Sequence, residues 1–232
     1  MLLSVGAKYP FDIFDICQKF ENLKIGACPF KTVGLRGMAI LADKTSPINC
    51  ILVNSNLSSE EQNFHGAHEL IHIFTSDPNS GQTFKCYDKV QPFQNSYIEW
   101  IANEGAAELI LSYKELLPFI KDNLPSFNSD TLPIFGIVEK ISQNYNVSQT
   151  VVQNRLGNLK YEIYQYLNGT DIENIEILSN RQQQNLGIYV DSLADIEAKR
   201  IVDCLKNHKS AINQPFFEYS NSYKNCKIIA SL

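Results

Sequence analysis

The chain has 232 residues, 44% of them hydrophobic and 19% charged, with a formal net charge of −5. This composition describes a globular chain with one core, or one core and a small appendage, and excludes a disordered one. The acidic balance argues against a general nucleic-acid binder, because neutralising phosphates needs a basic surface, and no apolar run approaches the length that spans a bilayer.

The first residues, Met1 to Ala7, are apolar but too short for a signal peptide and lack a basic start. The six cysteines, Cys17, Cys28, Cys50, Cys86, Cys204 and Cys226, form no C-x-x-C pair and no disulfide-framework spacing. The expected location is therefore the cytoplasm, with the thiols reduced. Residues 8–24 read as a helix with Phe11, Ile13, Phe14, Ile16, Cys17 and Phe20 on a broad apolar face. Residues 33–42 and 49–54 read as two strands joined by a turn rich in Asp, Ser and Pro. A hairpin or short meander beside the next helix is the expected arrangement.

That next helix carries the most informative letters of the chain. Ser58 and Glu61 make a capping box, and Phe64, Ala67, Ile71 and Phe74 supply an apolar stripe at helical spacing. Inside it stands His68-Glu69-Leu70-Ile71-His72, an H-E-x-x-H sequence. Two histidines four apart lie one helical turn apart on one face, so both imidazoles reach a single metal ion while the intervening Glu reaches the hydrolytic water. Two imidazoles, a carboxylate and an open fourth position suit zinc.

A third protein ligand is still needed. Residues 76–95 read as a long loop, of the kind that often carries function. The following segment has helical composition and a cluster of small residues that lets it approach the first helix closely. Glu99, Glu104 and Glu108 are the candidates there. Glu99 shares its face with Asn103, Ala106 and Ile110, the face expected to be buried. Glu104 and Glu108, spaced i, i+4, read as a solvated stripe. Asn103, one turn after Glu99, is expected to accept a hydrogen bond from the free N–H of His68 or His72, which fixes the ring.

Farther on, residues 123–133 form a Pro/Ser/Asn-rich boundary. Residues 134–145 and 149–167 read as two helices around a short turn capped by Ser148, with the apolar pattern of a helix-turn-helix. Lys140, Arg155 and Lys160 are nearly cancelled there by Glu139 and Glu162. A protein-docking or structural role is therefore expected over DNA contact. Residues 195–207 read as a helix with Ile196, Ile201, Val202 and Leu205 inward, and residues 186–190 and 227–230 as short strands.

The pairing of Ala67-His68-Glu69-Leu70 and His72 with Glu99, Ala102-Asn103 and Ala106-Ala107-Glu108-Leu109 resembles the ImmA/IrrE family of zinc metallopeptidases, over roughly residues 8–160. The chain departs from that family's usual letters at four places: His65 for Thr, Ile71 for Gly, Gly105 for an aromatic, and Ser112 for Pro. None removes a ligand. By position the resemblance implies that His68, His72 and Glu99 bind Zn2+ and that Glu69 is the general base. The expected fold class is α+β: a mainly helical zincin-like metallopeptidase core with a small β-sheet over residues 1–125, a helix-turn-helix-like helical region over 126–169, and a small C-terminal α/β segment over 170–232.

The expected function is zinc-dependent endopeptidase cleavage of a partner protein. The resemblance points to a helix-turn-helix transcriptional repressor of a stress or mobile-element regulon. The alternatives are a non-cleaving anti-repressor that sequesters a regulator on a peptidase fold, and a DNA-binding regulator using residues 134–160.

Overall fold

The computed structural model describes residues 9–124 and 136–211. By internal contacts the chain divides into two units, Met1–Leu124 with Ile134–Leu193, and Pro125–Pro133 with Ala194–Leu232. The first unit holds the sheet, the candidate site and the helix-turn-helix-like region. In the second, the described part is helix α9 (Leu193–Ala211) from Ala194 onward. Its Val202 is 43% exposed rather than inward. The expected strand at 227–230 lies outside the described residues.

The first helix is much shorter than its apolar pattern suggests. Asp12 caps α1 (Ile13–Cys17), accepting from the N–H groups of Phe14 at 2.8 Å and Asp15 at 3.3 Å. The chain then turns into β1 (Leu23–Cys28). Parallel pairing with β3 (Asn49–Asn54), in the register Leu23↔Asn49 to Cys28↔Asn54, overrides local helical preference here. β2 (Leu35–Ile40) pairs antiparallel with β3, forming the hairpin. Val33 is 95% exposed and Gly34 sits at φ +76, so the ladder starts later than residue 33.

β4 (Thr83–Tyr87) falls inside the stretch that reads as a loop and pairs antiparallel with β2. The mixed sheet runs β1-β3-β2-β4, which leaves β4 on an edge. The β2–β4 register shifts between Leu35 and Gly37.

Helix α2 (Ser59–Thr75) packs across this sheet and against α3 (Ser96–Ile110). Ala67, Leu70, Ile51, Val53, Ala106 and Ile110 join one buried cluster there. Gly105 sets the approach of the two helices. A Cβ on it would stand 2.9 Å from Ile71 Cδ1 and Cγ1 and 3.1 Å from Cγ2. Two of the departures from the family's letters thus share one space: bulk present at Ile71 on α2 is absent at Gly105 on α3. Gly105→Leu is expected to cost about 1–3 kcal/mol by overpacking, after offsetting helix propensity. A thermal melt checks this, and Ile71→Ala in the same chain should restore most of the loss.

After α4 (Tyr113–Asn123) come α5 (Ile137–Tyr145), α6 (Gln149–Asn158) and α7 (Lys160–Leu167). Asn146 closes α5 in the left-handed conformation at φ 52, and Ser148 caps α6 by accepting from Val151 N–H at 3.4 Å. The single helix expected over 149–167 breaks at Leu159, at φ −95 and ψ 20. Glu104 and Glu108 are not a solvated stripe. Arg155, 6% exposed, pairs with Glu108 and donates from Nε to the Leu111 carbonyl at 3.1 Å. Asn158 donates to Glu104 at 2.7 Å. One of the three cations in the helix-turn-helix-like region is therefore spent inside the protein.

Downstream, a 3-10 turn (Ile172–Asn174) and α8 (Asn180–Asn185) complete the unit. Residues 186–190 form no strand, because Gly187 at φ +66 turns the chain directly after α8.

Candidate metal centre

The capping box fixes where α2 starts. Ser58 Oγ accepts from Glu61 N–H at 3.3 Å and Glu61 Oε2 accepts from Ser58 N–H at 3.2 Å. Two to three turns later the helix turns His68, Glu69 and His72 inward, at 1%, 0% and 0% exposure. Asn95 caps α3 by accepting from Tyr97 N–H at 3.0 Å, which puts Glu99 in the first turn and faces it toward α2.

His68 Nε2 and His72 Nε2 lie 3.0 Å apart. Glu99 Oε2 is 3.3 Å from His68 Nε2, and Oε1 is 3.7 Å from His72 Nε2. A tetrahedral zinc with bonds of about 2.0–2.1 Å holds N and O donors roughly 3.3–3.4 Å apart, and the three separations bracket that value. Of the three carboxylates the sequence leaves open, Glu99 is the one among these imidazoles.

The protonation states also suit a cation. Burial pushes the Glu99 carboxyl up, but the neighbouring His68 and His72 rings outweigh it and bring it down to about 2. Burial pushes His72 below the ordinary imidazole range, against the pull of Glu99. His68 Nδ1 lies 3.0 Å from Asn103 Oδ1. An amide oxygen only accepts, so the proton sits on Nδ1 and the Nε2 lone pair faces the cluster. Asn103→Ala is expected to weaken metal affinity by roughly 10–100-fold, as loss of an outer hydrogen bond to a ligand histidine does. Competition with a chromogenic chelator measures it.

Glu69 stands beside this cluster and faces the sheet. Neither of its oxygens has a hydrogen-bond partner. Burial, then the charge of Glu99, pushes its carboxyl well above the usual range; the backbone of Cys86 and Ala39 pulls the other way without reaching hydrogen-bond geometry. Gly37 in β2 makes room for it, since a Cβ there would lie 2.7 Å from Glu69 Oε1.

β4, a strand where the sequence reads as loop, brings further neighbours to the cluster. Phe84 stacks on His72, with ring centroids 4.4 Å apart and planes at 5°. The buried Cys86 lies 3.4 Å (Sγ) from His65 Nδ1, and the ligand atoms of His68, Glu69 and Cys86 all fall within 4.8 Å of one another. The signal that would have found them is the β-prone run Thr83-Phe84-Lys85-Cys86-Tyr87. Tyr97 is 65% exposed and stacks on Trp100, and Tyr87 packs against Phe93. Among the described residues no helix is long and apolar enough to cross a membrane.

A mixed sheet crossed by a helix bearing H-E-x-x-H, with a buried glutamate from the next helix among its imidazoles, defines a metallopeptidase of the zincin-like α+β class. The chain belongs to the Peptidase_M78 family, whose model, described as the IrrE N-terminal-like domain, matches residues 22–157. No curated protein matches the chain.

Proposed function

We propose that this protein is a cytoplasmic zinc endopeptidase that makes a site-specific cut in one partner protein, a helix-turn-helix repressor of a stress or mobile-element regulon. The observation that carries this reading is the convergence of His68, His72 and Glu99 beside a buried carboxylate with no hydrogen-bond partner, Glu69. His68, His72 and Glu99 would hold the ion, and Asn103 would orient His68. When bound, zinc supplies Lewis acidity, acidifying the hydrolytic water and polarising the scissile carbonyl. Glu69 takes the proton of that water and passes it to the leaving amine. The β4 edge, next to His72 and Glu69, offers backbone groups for an extended substrate segment.

The reading assigns residues 1–125 to peptidase chemistry, 126–169 to a helix-turn-helix-like docking region and 170–232 to an accessory role. Docking remote from the zinc would then select one bond. The use of the buried Arg155 in an ion pair within the protein favours protein over DNA as the partner of that region.

The test is co-incubation of the full chain with the repressor encoded beside it, with and without chelator. The expected result is one chelator-sensitive cut, with little activity on casein. Rapid indiscriminate digestion of casein would overturn the specificity. Tight binding with no cut by the zinc-loaded, activated protein would overturn the enzyme reading in favour of sequestration.

A further inference from the structure

We propose that Gln94 latches the open edge of β4, so that a substrate segment must displace its side chain to lie beside the candidate metal centre. This rests on the reading of that edge as the strand that receives an extended substrate. On the β2 side, Gln82 O accepts from Leu41 N–H at 2.9 Å. Backbone groups of an antiparallel strand alternate between its two sides, so Thr83 and Lys85 present theirs to the open edge. Lys85 stands between Phe84, which stacks on His72, and Cys86, whose sulfur lies within 4.8 Å of donor atoms of His68 and Glu69. Its carbonyl is therefore the outward acceptor level with the metal centre.

That carbonyl is occupied. Gln94 Nε2 donates to it at 2.7 Å, while Gln94 Oε1 accepts from Gln91 N–H at 2.7 Å. A carbonyl only accepts and a backbone N–H only donates, so the two bonds fix the orientation of the amide. The side chain projects from a turn closed by Gln94 N–H to Gln91 O at 2.9 Å, with Pro92 at its second position, where the fixed φ suits a turn. Phe93 of that turn packs on Tyr87, with ring centroids 6.2 Å apart, and Asn95, next in sequence, caps α3. The turn is thus held at both ends, and rotation of the Gln94 side chain alone frees the carbonyl. Until it rotates, Gln94 stands where the N–H of an added strand would donate. Competition with one hydrogen bond of ordinary net strength weakens apparent affinity roughly 2–13-fold. An unfolded protein that binds by the edge alone bears that penalty in full. A partner docked elsewhere on the protein presents its segment at high effective concentration and offsets it.

The test uses the full chain, loaded with one zinc, and fluorescein-labelled casein as the extended probe. Initial anisotropy reports binding, and release of labelled fragments reports cutting. Gln94→Glu keeps the acceptor for Gln91 N–H and removes the donor to Lys85. Gln94→Ala removes the donor without adding charge. Both should bind casein roughly 2–13-fold more tightly than the unaltered chain. Where cutting occurs, KM should fall by that factor and kcat should stay unchanged, a split that general loosening of the site does not produce. Unchanged or weaker binding in both variants would overturn the latch. A gain in only one of two folded variants would overturn it as well, because it would trace to the added charge or to the shortened side chain. So would an absence of binding by all three proteins, since an unlatched edge pairs with extended chains irrespective of sequence. Should one variant fail to fold, as a thermal melt shows, the other decides. Tighter binding without a cut in any of them supports the latch and removes the peptidase reading.

Discussion

Glu69→Gln is expected to abolish most hydrolysis while the protein keeps about one zinc per chain. The amide has the shape of the carboxyl, so the pocket beside Gly37 accepts it, but it takes up no proton. Loss of a general base costs roughly 10²–10⁴-fold in rate, or about 2.7–5.4 kcal/mol of barrier. Glu69 is not among the three donors that converge, so the ion should be unaffected. Stability should not fall either, because the carboxyl makes no hydrogen bond for the substitution to break. Rate on the partner repressor, metal content and thermal midpoint, measured on one preparation, check all three. Full hydrolysis by this variant would remove Glu69 from the mechanism.

His72→Ala is expected to lose the metal and with it all hydrolysis. His72 contributes the donor 3.0 Å from His68 Nε2, and two remaining ligands make a weak zinc site. The variant also loses the stack on Phe84 and leaves a buried gap. The two consequences separate on heating. An ion that binds only the folded chain raises its stability by RT ln(1 + [L]/Kd). Chelator should therefore lower the melting temperature of the unaltered protein and leave that of His72→Ala unchanged. Metal analysis showing an undiminished zinc content in both His68→Ala and His72→Ala would remove the basis of the assignment.

Much of this site is legible in the sequence because its parts are local. The capping box, the i, i+4 histidines and the apolar stripe lie within one helix, and helical geometry alone decides which side chains share a face. Glu99 is legible for a weaker reason, its place on the small-residue face of α3. What escapes is non-local. β4 is five residues long with a single buried position, Cys86, so it shows little alternation and is defined by its partner β2. β1 follows an apolar helix without a strong break, and its identity comes from pairing with β3. The roles of Glu104 and Glu108 depend on Arg155 and Asn158, some fifty residues away in sequence.

The shared volume of Ile71 and Gly105 constrains how such a chain can have arisen. Where a relative carries its bulk on the other helix, the two sequences differ by a pair of changes whose effects are not independent. Acquiring isoleucine on α2 first would force two large side chains into one gap between the helices that carry the candidate metal ligands. Shrinking the α3 residue first leaves only a void, which costs stability but keeps both helices in place. The passable mutational route therefore runs through a chain that is small at both positions, and transplanting either residue alone between such relatives is expected to fail in one direction and be tolerated in the other.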